Sequence, residues 1–446
     1  MSPADTFHPP APGKGQGGVH LVRRLLRAGW RTLDGALLLG LGWLARCWPR
    51  GKHGRGLVLV TNTMAIGGAQ QQIVTWLQHG SRGHEPVWLV LLTAEANTLV
   101  EVSSLGVPVE AVEALLASRV FRRRLLAAVP RTAYVWALWR LLRRHRPAVV
   151  WSWLFLANVV AAPAARLAGI HRVICSERGL STWKWRGSGG LWWYRPAEQT
   201  AAALSDVLVV NARAVARDYA RWLGRSPHEV RVVANGIDPA RWSGGVKTTG
   251  GAEPAAKKSR VPIILNVGRL CPEKAQATLI RVCARLLETG SYHRLVLVGG
   301  GEMAEALRKT ARELGVEHAV RLAGEVRDPS EFYREADVFA LSSVAEGMPN
   351  ALMEAQLCGL PAVTTDAGGA GEVVVDGETG FVVPVGDEAA FAAALQRLLE
   401  DPELRRRMGE AGRRRMLDVF SVERMVREMD QLFAELGVVG GRAGGG

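Results

Sequence analysis

The chain has 446 residues, 48% hydrophobic and 22% charged, a length and balance that support two packed domains and exclude a disordered polypeptide. A formal net charge of +14 points to an anionic partner, whether nucleic acid, an acidic membrane surface or a phosphorylated substrate, without choosing among them. The five cysteines, Cys47, Cys175, Cys271, Cys283 and Cys358, form no CxxC pair and no Cys/His ligand spacing, which argues against a disulfide framework or a zinc site and suits a reducing cytoplasm.

Met1–Gly18 is rich in Pro and Gly and reads as a disordered tail. From His20 to Trp48, Leu21, Val22, Leu25, Leu26, Trp30, Leu33, Leu37 and Leu38 recur at helical spacing, with Arg23, Arg24, Arg27 and Arg31 between them. Such a basic amphipathic helix reads two ways: as an anchor lying in an anionic membrane interface, or as a helix packed on the body of the protein. No stretch is long and apolar enough to span a bilayer; the nearest, Gly35–Cys47, is too short and holds Arg46.

Gly56–Thr61 is a buried-strand run followed by a Gly67-Gly68 turn and a helical stretch, Gln71–His79, the opening of a doubly wound domain. Strand patterns continue at Val87–Leu92, Val107–Val112, Ala148–Trp153, Arg172–Ser176 and Val207–Asn211, and Val230–Asp238 is a candidate end. Arg122, Arg123, Arg124, Arg140, Arg143, Arg144 and Arg146 make this half basic, as solvated helix faces or as a membrane-facing surface together with the N-terminal helix. Residues 243–260 lack a hydrophobic period and read as a linker.

A second alternation follows. Strands are expected at Val261–Val267, Arg294–Val298, Ala319–Ala323, Asp337–Leu341 and Ala362–Thr365; helices at Ala275–Glu288, Met303–Leu314, Asn350–Cys358 and Glu388–Leu399. A final amphipathic helix is expected over Phe420–Leu436. The fold class is therefore α/β, two Rossmann-like domains with the ligand between them. The units run 1–55 (tail and amphipathic helix), 56–240, 241–260 (linker), 261–418, and 419–446 (last helix and Gly-rich tail).

Four motifs fall at strand ends. Gly67-Gly68 lets backbone approach a phosphate and tolerates positive φ; the GxGxxG pattern of dinucleotide folds is absent from that turn. Arg269 and Lys274 can reach the cleft, where two cations would neutralise a leaving diphosphate; taken alone they read equally as surface cations. Gly299-Gly-Gly-Glu302 permits close packing or ligand approach. Glu346 lies in the loop after a strand, and Glu354 sits early in the helix that Pro349 and Asn350 start. Two carboxylates beside a helix N-terminus suit a ligand with hydroxyls and phosphates.

Taken together, Gly268-Arg269 with Lys274, the Gly299–Glu302 turn, Glu346 and Glu354 in a Glu-x7-Glu spacing, Gly67-Gly68-Ala-Gln, Asn235-Gly-Ile-Asp238 and Pro361–Asp366 with Gly368 and Gly369 resemble glycosyltransferase family 4, of GT-B fold. The resemblance spans Gly56 to Leu436 and is stronger in the second half. It implies a retaining, metal-independent transferase with no cofactor, using a nucleotide sugar, UDP- or GDP-linked, as co-substrate. The first domain would bind the acceptor and the second the donor. Arg269 and Lys274 would hold the diphosphate, with Gly67 and Gly68 closing on it. Glu354 would bind the ribose, Glu346 would serve the donor sugar, backbone around Gly324 to Val326 would line the base, and Met348, Pro349 and Asn350 would bring amides near the phosphates. The last helix would cross back to the first domain.

One departure stands out. Where relatives of this family carry histidines, this chain reads Trp151-Ser-Trp153, so no histidine acts there. Asn158 and Ser176-Glu177-Arg178 fit a cleft-facing acceptor segment; Glu177 or Arg178 either touches a substrate or forms a structural ion pair. The basic first half and the Trp-containing helix suggest an acceptor at a membrane surface, a lipid-linked or lipopolysaccharide precursor or another saccharide, with the protein cytoplasmic and peripheral on the inner face. Two other readings remain: a nucleotide-sugar epimerase of the same architecture, and a basic nucleic-acid-binding protein, which lacks any recognised motif here.

Overall fold

A computed structural model describes residues 34–49, 54–65, 67–81, 83–93, 106–117, 131–186, 192–245 and 260–438. The proline-rich tail, the first part of the amphipathic stretch, Arg122–Arg124, most of the linker and the C-terminal tail lie outside the described residues.

The first half opens with a helix over residues 34–47 (α1). It continues as β1 (Leu57–Thr61), α2 (Gly68–His79), β2 (Val87–Leu91), β3 (Val109–Ala111), α3 (Val112–Ala117), α4 (Arg131–His145), β4 (Val149–Trp153) and α5 (Phe155–Leu167). β5 (Arg172–Glu177), α6 (Ser181–Lys184), α7 (Tyr194–Leu204), β6 (Val207–Val210), α8 (Arg213–Leu223) and β7 (Val230–Val232) complete it. The second half runs β8 (Ile263–Val267), α9 (Gln276–Glu288), β9 (Arg294–Val298), α10 (Ala304–Glu313), β10 (Val320–Gly324), α11 (Ser330–Glu335), β11 (Val338–Leu341) and α12 (Asn350–Leu357). Then come β12 (Ala362–Thr365), α13 (Ala370–Val373), β13 (Gly380–Val383), α14 (Glu388–Glu400), α15 (Pro402–Val419) and α16 (Val422–Glu435).

Every strand pair is parallel. The first sheet is ordered β3-β2-β1-β4-β5-β6-β7 and the second β10-β9-β8-β11-β12-β13. A parallel sheet is covered on both faces, so its strands read as unbroken apolar runs; all five residues of β1 and of β4 are buried. Each order reverses once, at β1/β4 and at β8/β11, and ligands of such sheets bind at the carboxyl ends beside the reversal.

α1 packs along α7. An added Cβ at Gly35 would lie 2.6 Å from Trp193 Cγ, and one at Gly42 would lie 2.2 Å from Thr200 Cγ2, so two glycines seven residues apart let the helices approach. Asp34 then accepts from the Arg131 and Thr132 backbone N–H groups at 2.9 and 3.2 Å, capping the start of α4. The inner face of the amphipathic helix is thus docked, while Leu37, Trp43, Leu44 and Trp48 remain exposed.

The last helix crosses back to the first half. Phe433 of α16 meets Trp76 and Trp151 edge-on at 6.1 and 5.8 Å between ring centres, and the Ile237 N–H donates to Phe420 O at 2.9 Å. β13 and α15 are elements that the sequence reading did not contain.

Candidate active site

At the second reversal, the loop after β8 and the loop after β11 are tied together. Ser342 Oγ donates to the carbonyls of Lys274 and Ala275 at 3.1 and 3.0 Å, and the Val344 N–H donates to Glu273 O at 2.9 Å. This brings Lys274 Nζ to 2.6 Å from Glu346 Oε1, an oxygen that also accepts from Ser343 Oγ at 2.5 Å. Glu346 is only 9% exposed, so its charge is compensated on the spot by an ammonium and a hydroxyl. Arg269, in the same loop as Lys274, is exposed, and its side-chain bond to Cys271 and the carboxylates of Glu273 and Glu302 hold it more firmly protonated than a free guanidinium. The glycine turn after β9 serves close packing: Gly299 has φ +144°, and a Cβ there would stand 2.0 Å from Gly268 O. Gly324, at φ +79°, and Val326 close the end of β10 next to it, with the Gly299 N–H donating to Gly324 O at 2.8 Å.

Glu354 projects from the first turns of α12. Its Oε2 accepts from Tyr333 Oη at 2.8 Å and its Oε1 from Gln71 Nε2 of the first half at 3.3 Å. Burial pushes its carboxyl above the usual range, against the hydrogen bond from Tyr333. Pro349 occupies the N-cap position of α12. Asn350 joins the halves: its Nδ2 donates to Gly68 O at 3.0 Å, and its Oδ1 accepts from Asn235 Nδ2 at 2.8 Å and Gln72 Nε2 at 3.3 Å. Asn235 Nδ2 also reaches Met348 O at 3.1 Å. A small pocket between α2, residues 236–242 and α12 ends at Glu354, but its lining includes neither Arg269, Lys274 nor Glu346.

The first half brings three corrections. Gly67 has φ −173°, extended backbone open to any residue, so positive φ is not what the turn uses; a Cβ there would lie 2.6 Å from Gln70 Oε1, whereas one at Gly68 would make only an ordinary 3.4 Å contact with Asn350 Nδ2. Asn158 does not open onto the cleft. It is 1% exposed, with Oδ1 accepting from Ser152 Oγ at 2.7 Å and Nδ2 donating to Ser176 O at 2.9 Å, which ties β4 to β5. Nor is Arg178 in a structural ion pair: among the described residues it makes none, and its guanidinium lies 3.8 Å from the centre of the Trp153 ring. Glu177 forms the ion pair instead, its Oε2 lying 3.7 Å from Lys184 Nζ without a hydrogen bond.

Trp151 and Trp153 are fully buried. Trp151 donates to Ser176 Oγ at 2.7 Å and stacks among Trp76, Trp153 and Phe433. It anchors the returning helix.

Sequence reasoning missed Ser343, Tyr333, Gln71, Gln72 and Glu372, and gave Asn235 a place in a motif but no role at the site. The carboxylate of Glu372, on α13, accepts from the Arg213 and Ala214 backbone N–H groups at 3.0 and 2.7 Å and so caps α8 of the other half. Ser343 stands three residues before Glu346, a spacing that could have found it; the others are joined to the site only through the fold.

A family model described as "Glycosyl transferases group 1" matches residues 252–415, and one described as "Glycosyltransferase Family 4" matches residues 66–241. A GDP-mannose-dependent alpha-(1-6)-phosphatidylinositol monomannoside mannosyltransferase of Mycolicibacterium smegmatis is 30% identical over 67% of this chain and 80% of its own. The lipopolysaccharide core biosynthesis glycosyltransferase LpsE of Rhizobium meliloti is 37% identical over 39% of this chain, a stretch that spans half the length of LpsE. Among solved structures, HepE of Anabaena in complex with UDP and glucose superposes with a TM-score of 0.71 at 20% identity, over 85% of this chain and 99% of that one. With the two matched segments falling on the two sheets, the chain belongs to glycosyltransferase family 4 and is a glycosyltransferase of GT-B fold.

Proposed function

We propose that this enzyme moves a sugar from a nucleoside-diphosphate sugar, UDP- or GDP-linked, to an acceptor hydroxyl with retention of anomeric configuration. The observation that carries the reading is the Lys274–Glu346–Ser343 cluster at the reversal of the second sheet, with Arg269 in the same loop as Lys274. As the sugar–phosphate bond breaks, negative charge grows on the diphosphate and positive charge on the anomeric carbon. Arg269 and Lys274 meet the first, and the Glu346 carboxylate meets the second. The acceptor O–H bond breaks as the glycosidic bond forms, and its proton leaves with the diphosphate. No metal is invoked.

Gly67, Gly68 and the amides of Met348 to Asn350 would line the phosphates, and Gly324 to Val326 the base. Glu354 would take the ribose hydroxyls by exchanging Gln71, the more distant of its two partners. A UDP complex of HepE and the GDP-mannose named for the mycobacterial relative support a nucleotide-sugar donor. The test is a screen of UDP- and GDP-sugars, scored by nucleotide release with and without membrane extract. One donor should release nucleotide faster with extract, and Glu354→Ala should weaken its binding about tenfold. Release by no donor would sink the reading; conversion of the nucleotide sugar to its epimer in the absence of acceptor, with no net nucleotide release, would favour the epimerase.

The acceptor is proposed to lie at a membrane surface, lipid-linked or part of a lipopolysaccharide precursor. Leu37, Trp43, Leu44 and Trp48 form an exposed apolar face on α1, and Trp136 of α4, with the Arg140 guanidinium 4.9 Å from its ring centre, is exposed as well. Among the described residues no helix is long and apolar enough to cross a membrane. Vesicles with anionic lipid should retain the wild type and lose the Trp43→Ser/Trp48→Ser variant; equal sedimentation of both would reject the contact.

A further inference from the structure

The charge balance of the cleft is uneven at Arg178. This residue follows β5 at the carboxyl edge of the first sheet and is partly buried. Its Nη1 donates to Asn235 Oδ1 at 3.2 Å, and its guanidinium stacks on Trp153. Its Nε is buried without a hydrogen-bond partner. Glu177, the nearest carboxylate in sequence, spends one oxygen on the Arg178 backbone N–H at 3.0 Å and pairs the other with Lys184. The indole face offsets part of the desolvation of the guanidinium, but a cation held this way with a donor left over is costly unless an anion completes it. Burial pulls its pKa down to about 9, against the opposing effect of the neighbouring Glu177 carboxylate.

The surroundings are those of a ligand site. The carbonyl of Arg178 touches the loop that carries Glu346: a Cβ added at Gly347 would lie 1.9 Å from it. Asn235 relays the side chain to Met348 O and Asn350 Oδ1. Along the same sheet edge, Trp153 Nε1, Thr61 Oγ1, Asn211 Oδ1 and Ser181 Oγ are buried with no partner. β1, β4, β5 and β6 are neighbours in the sheet, so these groups collect where the acceptor-binding half meets the sugar-handling loop.

We propose that Arg178 is the anion-recognition residue of the acceptor subsite: the acceptor presents a phosphate or carboxylate oxygen to its guanidinium, on the opposite side of the cleft from the diphosphate cations Arg269 and Lys274. This rests on the two-substrate reading above. The anion completes the guanidinium, and the unpartnered donors and acceptors beside it receive hydroxyls of the same molecule. A neutral acceptor would leave the cation unpaired, so specificity for an acidic acceptor follows from the cost of that vacancy.

The experiment titrates the full chain, wild type, Arg178→Gln and Arg178→Lys, with glycerol 3-phosphate in one arm and glucuronate in the other. Glucose serves as a neutral control, and UDP and GDP are titrated separately. One acidic probe should bind the wild type; its Kd should weaken about tenfold or more in Arg178→Gln and less in Arg178→Lys. The responding arm names the source of the anion. The nucleotide Kd should stay the same in all three proteins, and Arg178→Gln should melt no lower than the wild type, because an unpaired charge has been removed. Equal probe affinity in Arg178→Gln, or no binding of either acid to the wild type, overturns the proposal. So does a nucleotide Kd that weakens in step, which would assign Arg178 to the donor. Failure of the nucleotides to bind any protein speaks only against the donor reading, since the acidic probes are read independently of it.

Discussion

The two halves of the molecule carry the same kind of parallel sheet but hold charge at its edge differently. In the second half both buried carboxylates have their partners: Glu346 has Lys274 and Ser343, and Glu354 has Tyr333 and Gln71. In the first half Arg178 has a ring and an amide oxygen, with the Glu177 carboxylate near enough to act on its charge but not bonded to it, and Glu198 on α7 is wholly buried with one oxygen unpartnered. The two buried carboxylates of the second edge are paired before any ligand arrives, although Asn266 Oδ1, Glu273 Oε2 and Gln276 Oε1 beside them are buried without partners; at the first edge it is a guanidinium that lacks a hydrogen-bonded carboxylate. Carboxylates paired in advance suit a co-substrate shared by many enzymes, whereas a guanidinium left without one suits an acceptor peculiar to one.

The largest effect expected from breaking this contrast is at Lys274. Lys274→Ala removes the cation from Glu346 and one of the two charges proposed to face a donor diphosphate, and turnover should fall by about 100- to 1000-fold. Its melting temperature should also drop, because Glu346 keeps only Ser343. Lys274→Met combined with Glu346→Gln should restore the melting temperature but not turnover. Recovery of both would make the pair purely structural.

This edge was the more legible one because its chemistry is carried by residue types at fixed spacings within short loops. Glu346 and Glu354, eight residues apart, and Arg269 and Lys274, five apart, follow strands whose apolar runs are plain. Their partners are another matter. Gln71 reaches Glu354 across 283 residues, and Asn235 reaches Asn350 across 115, so no local period marks them. α15 carries Gly409 and Gly412, residues that disfavour a helix on local grounds. They are there for packing, since a Cβ at Gly409 would lie 2.1 Å from Gly359 O. Trp151 and Trp153 were read as a missing histidine; the packing of Phe433 against Trp151 shows what indole supplies instead.

A second, smaller test sharpens the first half. Burial, reinforced by the nearby Glu177 carboxylate, pushes Glu198 up to about 8, and Trp222 Nε1 donates to its Oε2. A carboxyl raised in the folded state stabilises fully below its unfolded value and loses that contribution as pH rises through about 8. Wild-type stability should therefore decline between roughly pH 5 and 8, by at most about 1.4 kcal/mol per pH unit for one proton. Glu198→Gln keeps an acceptor for Trp222 and should flatten that slope, as urea unfolding at several pH values would report. Parallel profiles for the two proteins would mean that Glu198 is already ionised in the fold.

The smallest effect expected is where the two edges meet. α8 begins after Ala212, which has no side-chain acceptor, so its first N–H groups would lack partners within their own half. Glu372 of the second half supplies both oxygens, and a Cβ at Gly369 would sit 2.7 Å from Ala212 Cβ, so the halves touch there through glycine. The cap exists only while the cleft is closed at this point, which makes its energy a bias toward closure and not toward folding of either half. Glu372→Ala should cost about 1 kcal/mol of that bias, shifting the open-to-closed ratio about fivefold, and Glu372→Gln should keep part of it by retaining an acceptor without the charge that favours a helix N-terminus. Distance measurements between labels on the two halves would read the shift. A melting temperature lowered in either variant with no change in that distance would make Glu372 an ordinary stabilising contact, and the closed arrangement would then have to be held by the other cross-half contacts, those of Asn350, Gln71 with Glu354, Asn235 with Met348 and the returning helix.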